Sequence, residues 1–352
     1  MRHTIGVSGL LGVLAIIAQS CTNSSAPNVD PNGIAYSFAV FGCNRVNAAD
    51  TIGNPSTANV AQLNQSFADI AALNPRPKFL VFAGDEVLGY TNDTTALAKE
   101  LTAWRALYEA SPLANSGVEL VALPGNHEVQ GATHIAYAAA ERTWLRIMAP
   151  YIGRGGNGPT AGGPDNLQTD QSHLSYSFDF QDSHFVTLNS DPVGKDWHVP
   201  VSWVQSDLAA AKSKGAKHIF VFDHKPAFPY PTVATDGLSQ DTSSRNAFWA
   251  ILQSAQAEAM FSAHNHVYYR SQPANGKTWM IIAGNGGSSL EATIDPSIPS
   301  SGLYYGFTLV SVTNSGRVIE RSYGRPVPAG GYVSTAGVSA ATVRDSAEIT
   351  WK

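Results

Sequence analysis

The chain has 352 residues, with 22 Lys and Arg against 27 Asp and Glu, and a formal net charge of −5. Hydrophobic residues at 43%, with seven Trp, can fill a large core and exclude wholesale disorder. The acidic balance argues against a general nucleic-acid binder, and only two Cys in so long a chain exclude a disulfide scaffold.

Residues 1–20 begin with Arg2 and His3 and continue into an apolar run from Gly6 to Ala18. This pattern predicts a secretory signal, too short for a comfortable membrane-spanning helix. Cys21 follows, ahead of a Ser/Asn/Pro tether over 21–34. It resembles the acylation site of bacterial lipoproteins, although Ala18 stands where such sites usually carry Leu. The expectation is export from a bacterial cell, to the periplasm or onto a membrane through a lipid on Cys21. Ordinary cleavage and secretion is the alternative, and a Cys21–Cys43 bridge then stays open.

Residues 36–41 read as a buried strand running into Gly42-Cys43-Asn44-Arg45. Residues 61–73 form a helix with Leu63, Phe67, Ile70 and Leu73 on one face. A short strand at 79–82 leads to Gly84-Asp85. The clearest helix covers 95–109, where Leu97, Leu101, Trp104 and Tyr108 recur at helical spacing. A strand at 118–123 precedes Pro124-Gly125-Asn126-His127-Glu128. Residues 152–171, rich in Gly, Asn, Pro and Thr, predict a long surface loop at the rim of a site.

Strands resume at 174–180 and 184–188, followed by a helix at 203–214 with Val204, Leu208 and Ala211 inward. The strand 218–222 ends at Asp223-His224-Lys225-Pro226, and the apolar run 259–261 leads to Ala263-His264-Asn265-His266. Helices then stop. Strands are expected at 279–283, 304–312 and 318–323, and the tail from 331 to 352 is polar and β-leaning. The alternation in the first half predicts a largely parallel sheet covered by helices, with the polar motifs in loops after strand ends. Because those motifs span both halves, one domain over 35–325 is expected, with a β-rich extension over 326–352 packed on it.

Gly84-Asp85, Gly125-Asn126-His127-Glu128, His224 and Ala263-His264-Asn265-His266 lie tens of residues apart, so no local zinc-finger spacing explains them. Their chemistry is coherent, since a carboxylate can bridge two divalent ions while imidazoles and an amide oxygen complete each shell. Two such ions can activate water and clamp an in-line phosphoryl displacement.

In this order the motifs resemble the calcineurin-like metallophosphoesterase superfamily, which includes the purple acid phosphatases. The resemblance covers about residues 36–325. It implies an α/β fold, a four-layer α/β/β/α sandwich of two mixed sheets flanked by helices. It also implies one or two divalent or trivalent metal ions (Zn, Mn or Fe). Asp85 would bridge, Asn126, His224 and His264 would complete one site, and His266 would belong to the other. His127 would contact phosphate and help protonate the leaving group, and Arg45 could hold a phosphoryl oxygen. Asp223 and Glu128 would orient imidazoles.

The chain departs from the pattern at two positions. Ala263 replaces a Gly, which is mild unless the backbone there needs a positive φ. Cys43 stands where the family's first metal-binding Asp is expected. It is read as a thiolate ligand of a zinc-containing pair, as the mark of a weak or empty first site in a one-metal enzyme, or as the mark of a degraded site used for binding. Asn44 could lend an amide oxygen in any of these.

The expected activity is hydrolysis of a small phosphorylated substrate by metal-activated water, with phosphomonoesters favoured. The alternatives are a phosphodiesterase on cyclic nucleotides or glycerophosphodiesters, and a non-catalytic tethered protein that captures phosphorylated ligands. No specific nucleic-acid partner is expected.

Overall fold

Along β1 (Ile34–Phe41) successive side chains enter different cores, as the two-residue period of a strand requires. Phe38 and Val40 join one buried cluster, and Ala39 and Phe41 another. A strand buried on both faces belongs in the interior of a layered α/β structure. The computed structural model describes residues 30–51, 53–291, 301–327 and 338–352. The expected signal over 1–20, Cys21 and nearly all of the tether lie outside the described residues. No helix among the described residues is long and apolar enough to cross a membrane.

After β1 come α1 (Val60–Ala72), β2 (Phe79–Ala83), α2 (Thr94–Glu109), β3 (Glu119–Leu123), the short α3 (Asn126–Val129) and α4 (Ala138–Met148). The second half holds β4 (Tyr176–Phe180), β5 (Ser183–Leu188), α5 (Val201–Ser213), β6 (His218–Asp223), α6 (Thr242–Ser254) and β7 (Ala259–Ser262). It ends with β8 (Tyr268–Ser271), β9 (Trp279–Ala283), β10 (Ser301–Gly302), β11 (Tyr305–Thr313), β12 (Val318–Arg325) and β13 (Thr342–Glu348).

The strands form two mixed sheets, ordered β13-β12-β11-β1-β2-β3 and β10-β8-β9-β7-β6-β5-β4. β1, β2 and β3 run parallel, as do β5, β6, β7 and β9. Between the sheets lies an aromatic core containing Phe38, Phe79, Phe185, Phe220, Phe222 and Phe261. On the outer face of the first sheet, α1, α2 and α4 insert Phe67, Trp104 and Trp144. On the outer face of the second, α5 and α6 insert Leu208, Phe248 and Trp249. This is the four-layer α/β/β/α sandwich.

The inward faces of α1, α2 and α5 are those expected from their periodicity. α4 and α6 were not expected. The buried face of α4 mixes Glu141 and Thr143 with Ala140, Trp144 and Met148, and α6 opens on the polar run Thr242-Ser243-Ser244-Arg245-Asn246, capped when Asp241 accepts the Ser244 N–H. Part of the tail forms β13, the edge strand paired antiparallel with β12, while residues 331–337 lie outside the described residues.

Candidate metal centre

β1, β2 and β3 end at Phe41, Ala83 and Leu123, and β6 and β7 end at Asp223 and Ser262. Their carboxyl ends share one edge, the side of a parallel sheet where ligands bind. The connecting loops are laced together there. Cys43 N–H donates to the Gly84 carbonyl at 3.0 Å, and Asn44 and Arg45 N–H donate to that of Asp85 at 2.8 and 2.9 Å. Ala263 N–H donates to the His224 carbonyl at 3.0 Å, tying the loops after β7 and β6.

Two glycines permit this approach. A Cβ on Gly84, whose φ is +80°, would lie 2.5 Å from the Gly125 nitrogen. One on Gly42 would lie 2.8 Å from the Cβ of Ala263, so Ala263 fits because Gly42 has no side chain. The positive φ in that loop falls on His264, not Ala263. Cys43, Arg45, Asp85 and His264 all hold φ near +60°. That region costs a residue with a Cβ roughly 1–2 kcal/mol, and such strain gathers where function fixes the backbone.

Asp85 is shared by two groups of potential ligand atoms. Cys43, Asp85 and His266 form one, and Asp85, His224 and His264 the other; within each, the atoms lie within 4.8 Å of one another. In the second group the tautomers follow from the partners. His224 Nδ1–H donates to the Ala83 carbonyl at 2.8 Å, and His264 Nε2–H donates to Asp236 Oδ1 at 2.8 Å. His224 Nε2 and His264 Nδ1 then face each other across 3.1 Å, with Asp85 Oδ1 3.1 Å from His224 Nε2. Asn126 donates its Nδ2–H to the Tyr90 hydroxyl, leaving its Oδ1 buried without a hydrogen-bond partner.

In the first group His266 donates Nδ1–H to the Ser289 carbonyl at 2.6 Å, and its buried Nε2 has no hydrogen-bond partner. The Cys43 sulfur accepts the His264 N–H at 3.0 Å. Arg45 places both Nε and Nη2 3.1 Å from Asp85 Oδ2. His127 donates Nδ1–H to the Leu88 carbonyl and turns Nε2 toward Asp85 Oδ2 at 3.8 Å.

Burial pushes the Asp85 carboxyl up, but His127, His224 and Arg45 outweigh it and hold it well below the usual range. Burial drives His127 and His266 down to about 3, with Arg45 acting in the same direction on both. It also lowers His264, against the pull of Asp236. His224 moves the other way, because Asp85 outweighs burial and raises it. Metals bind an ionised carboxylate and imidazoles that have given up that proton. Burial, helped by Asp85, pushes the Cys43 thiol well above its ordinary value, which favours the poorly ligating SH form.

The Asp85, Asn126, His224 and His264 set fits a divalent cation, because potential ligand atoms of Asp85, His224 and His264 converge and the buried Asn126 oxygen is otherwise orphaned. The Cys43 group fits less well, since a guanidinium already lies on the shared carboxylate.

The expected roles of Glu128 and Asp223 need correction. Glu128 accepts backbone N–H from Asp85, Val87 and Gly125, at 3.0, 3.0 and 2.7 Å, and braces two loops instead of an imidazole. Among the described residues, no hydrogen bond joins the buried Asp223 carboxylate to an imidazole; the Ala83 carbonyl orients His224. Asp236, which holds His264, carried no motif in the sequence. Of the aromatics, Trp197 packs edge-on to His264 at 5.8 Å, with Lys225 Nζ 3.1 Å above its ring. Tyr230 is buried against Tyr269 as packing.

Residues 47–268 match the calcineurin-like phosphoesterase family, and the chain belongs to that family. It is 25% identical over 224 residues to the serine/threonine-protein phosphatase CPPED1 of Rattus norvegicus, covering 62% of each chain. It is 27% identical over 146 residues to purple acid phosphatase 22 of Arabidopsis thaliana, covering 42% of this chain and 30% of that one. The chain therefore spans less than two thirds of the length of these curated relatives. Its fold is similar to purple acid phosphatase PPD1 from yellow lupin seeds, with a TM-score of 0.61, 16% identity, and coverage of 88% of this chain and 53% of that one. It is also similar to GAP50, the anchor in the inner membrane complex of Plasmodium, with a TM-score of 0.51, 15% identity, and coverage of 88% and 89%.

Proposed function

We propose that the chain hydrolyses phosphoesters with the help of a bound metal ion, and that phosphomonoesters are its preferred substrates. The observation that carries this reading is the convergence of Asp85 Oδ1, His224 Nε2 and His264 Nδ1. A metal ion held there supplies Lewis acidity, polarising a phosphoryl oxygen and making water nucleophilic near neutral pH.

The chain's own groups do the rest. Arg45 has N–H donors beyond the two on Asp85, and these can hold a second phosphoryl oxygen. His127 is fixed through Nδ1, so its unprotonated Nε2 is the atom that can take a proton from the attacking water and return it to the departing alcohol. Tyr90 holds the Asn126 amide through its nitrogen, which leaves the amide oxygen free to serve as a ligand were an ion bound.

The monoester preference is supported by the guanidinium, which suits a dianionic ester better than a monoanionic diester. The phosphatase names of the sequence relatives point the same way. Residues 1–20 and Cys21 support export, with tethering by a lipid; absence of incorporated labelled palmitate would remove the tether.

The test is hydrolysis of p-nitrophenyl phosphate and its bis ester by protein freed of residues 1–20, with Zn²⁺ or Mn²⁺ added. The monoester should turn over faster. Faster diester turnover would make this a phosphodiesterase, and no turnover with any metal would leave a phospho-ligand-binding protein.

A further inference from the structure

We infer that this centre takes a single divalent ion, at Asp85, Asn126, His224 and His264, and that the Arg45 guanidinium replaces a second ion on the other oxygen of Asp85. This rests on the metal-binding part of the proposed function, not on hydrolysis. The two oxygens of Asp85 have different neighbours. Oδ1 lies 3.1 Å from His224 Nε2, which is itself 3.1 Å from His264 Nδ1, and among the described residues no Lys or Arg pairs with it. Oδ2 lies 3.1 Å from both Nε and Nη2 of Arg45, so its partner is already a full positive charge. A cation between Cys43, Asp85 and His266 would share one carboxylate with that guanidinium, at short range and in a buried site where like charges repel strongly.

Arg45 is not a swinging surface side chain. Its φ is +60°, its N–H donates to the Asp85 carbonyl at 2.9 Å, and its own carbonyl accepts the Thr57 hydroxyl at 2.8 Å. The next residue, Val46, donates to the Glu86 carbonyl at 2.9 Å. The guanidinium thus starts from a backbone fixed between two parallel-running loop segments and ends on Asp85 Oδ2. The Cys43 sulfur meanwhile accepts the His264 N–H, and so helps to set the loop that carries two imidazoles.

The test strips the protein freed of residues 1–20 with a chelator and titrates it with Zn²⁺ and Mn²⁺ alone. Calorimetry and elemental analysis give the metal count per chain, and the electron paramagnetic resonance of Mn²⁺ reports whether two ions are coupled. The wild type should bind one equivalent tightly and show an isolated Mn²⁺ spectrum. Arg45→Gln should admit a second equivalent, bound at least about tenfold more tightly than any second ion in the wild type, a gain of about 1.4 kcal/mol.

Two tight ions per wild-type chain with a coupled spectrum would overturn the inference. So would a folded Arg45→Gln protein with no gain at the second site. If that variant does not fold, the wild-type count and spectrum decide. One ion without hydrolysis would sink the hydrolase reading alone. Two ions with hydrolysis would sink this inference alone, and no bound ion would sink both.

Discussion

The two halves of the centre share Asp85 and differ in everything that surrounds it. On the Oδ1 side two imidazole nitrogens converge, with an orphaned amide oxygen on the neighbouring loop, and each group is backed by a partner on its far atom. On the Oδ2 side stand a protonated-leaning thiol, an imidazole and a guanidinium. A carboxylate can therefore be a metal ligand through one oxygen and an ion-pair partner through the other. The nearest charged neighbour, more than the ligand type, decides which.

This asymmetry can be broken by mutation. His224→Ala removes a ligand from the converging half and should cost more than about 100-fold in metal affinity, with activity following, beyond what outer partners usually cost; calorimetry checks it. Asp236→Ala leaves every ligand in place but frees the His264 ring, and should cost about 10- to 100-fold. The same titration reads it, and an unchanged affinity would show that Asp236 has no orienting role.

Cys43→Ala acts on the other half. With the sulfur serving as a buried acceptor, the metal count should not change and the rate should move less than about tenfold, at a stability cost of about 1 kcal/mol. Loss of an ion from this variant would make Cys43 a ligand.

Glu320 provides a control remote from the centre, buried between β12 and β8 and accepting the Tyr268 hydroxyl. Burial, with Asp345 adding, pushes it up from 4.5 to about 8. A carboxyl raised on folding costs stability as pH climbs through that window, because the unfolded chain ionises first. Glu320→Gln should flatten the pH dependence of chemical denaturation, gaining on the order of 2–4 kcal/mol at pH 8. Its metal count should equal that of the wild type.

Much of the centre was legible because a parallel sheet forces the residues after its strand ends together. The loops carrying Asp85, Asn126, His224 and His264 could be brought together on that ground although they are distant in sequence, and the family resemblance implied that these four share one site. The amphipathic stripes of α1, α2 and α5 were legible for the same kind of reason, since burial imposes a period. What stayed hidden depends on side-chain aim. Glu128 looked like an imidazole partner, but its carboxylate is taken up by backbone N–H groups of two loops. Asp236 reaches His264 from a loop with no regular pattern, so no spacing could announce it. The Cys43 substitution was visible at once, yet its meaning depends on where the Arg45 side chain turns.

The central claim is that Asp85, Asn126, His224 and His264 form a metal site. Anomalous diffraction at the zinc edge, from crystals of chelator-treated protein reloaded with Zn²⁺, tests it most directly. The account predicts one peak within bonding distance of Asp85 Oδ1, His224 Nε2 and His264 Nδ1. No peak there, or a peak bound instead by the Cys43 sulfur and His266, would contradict it.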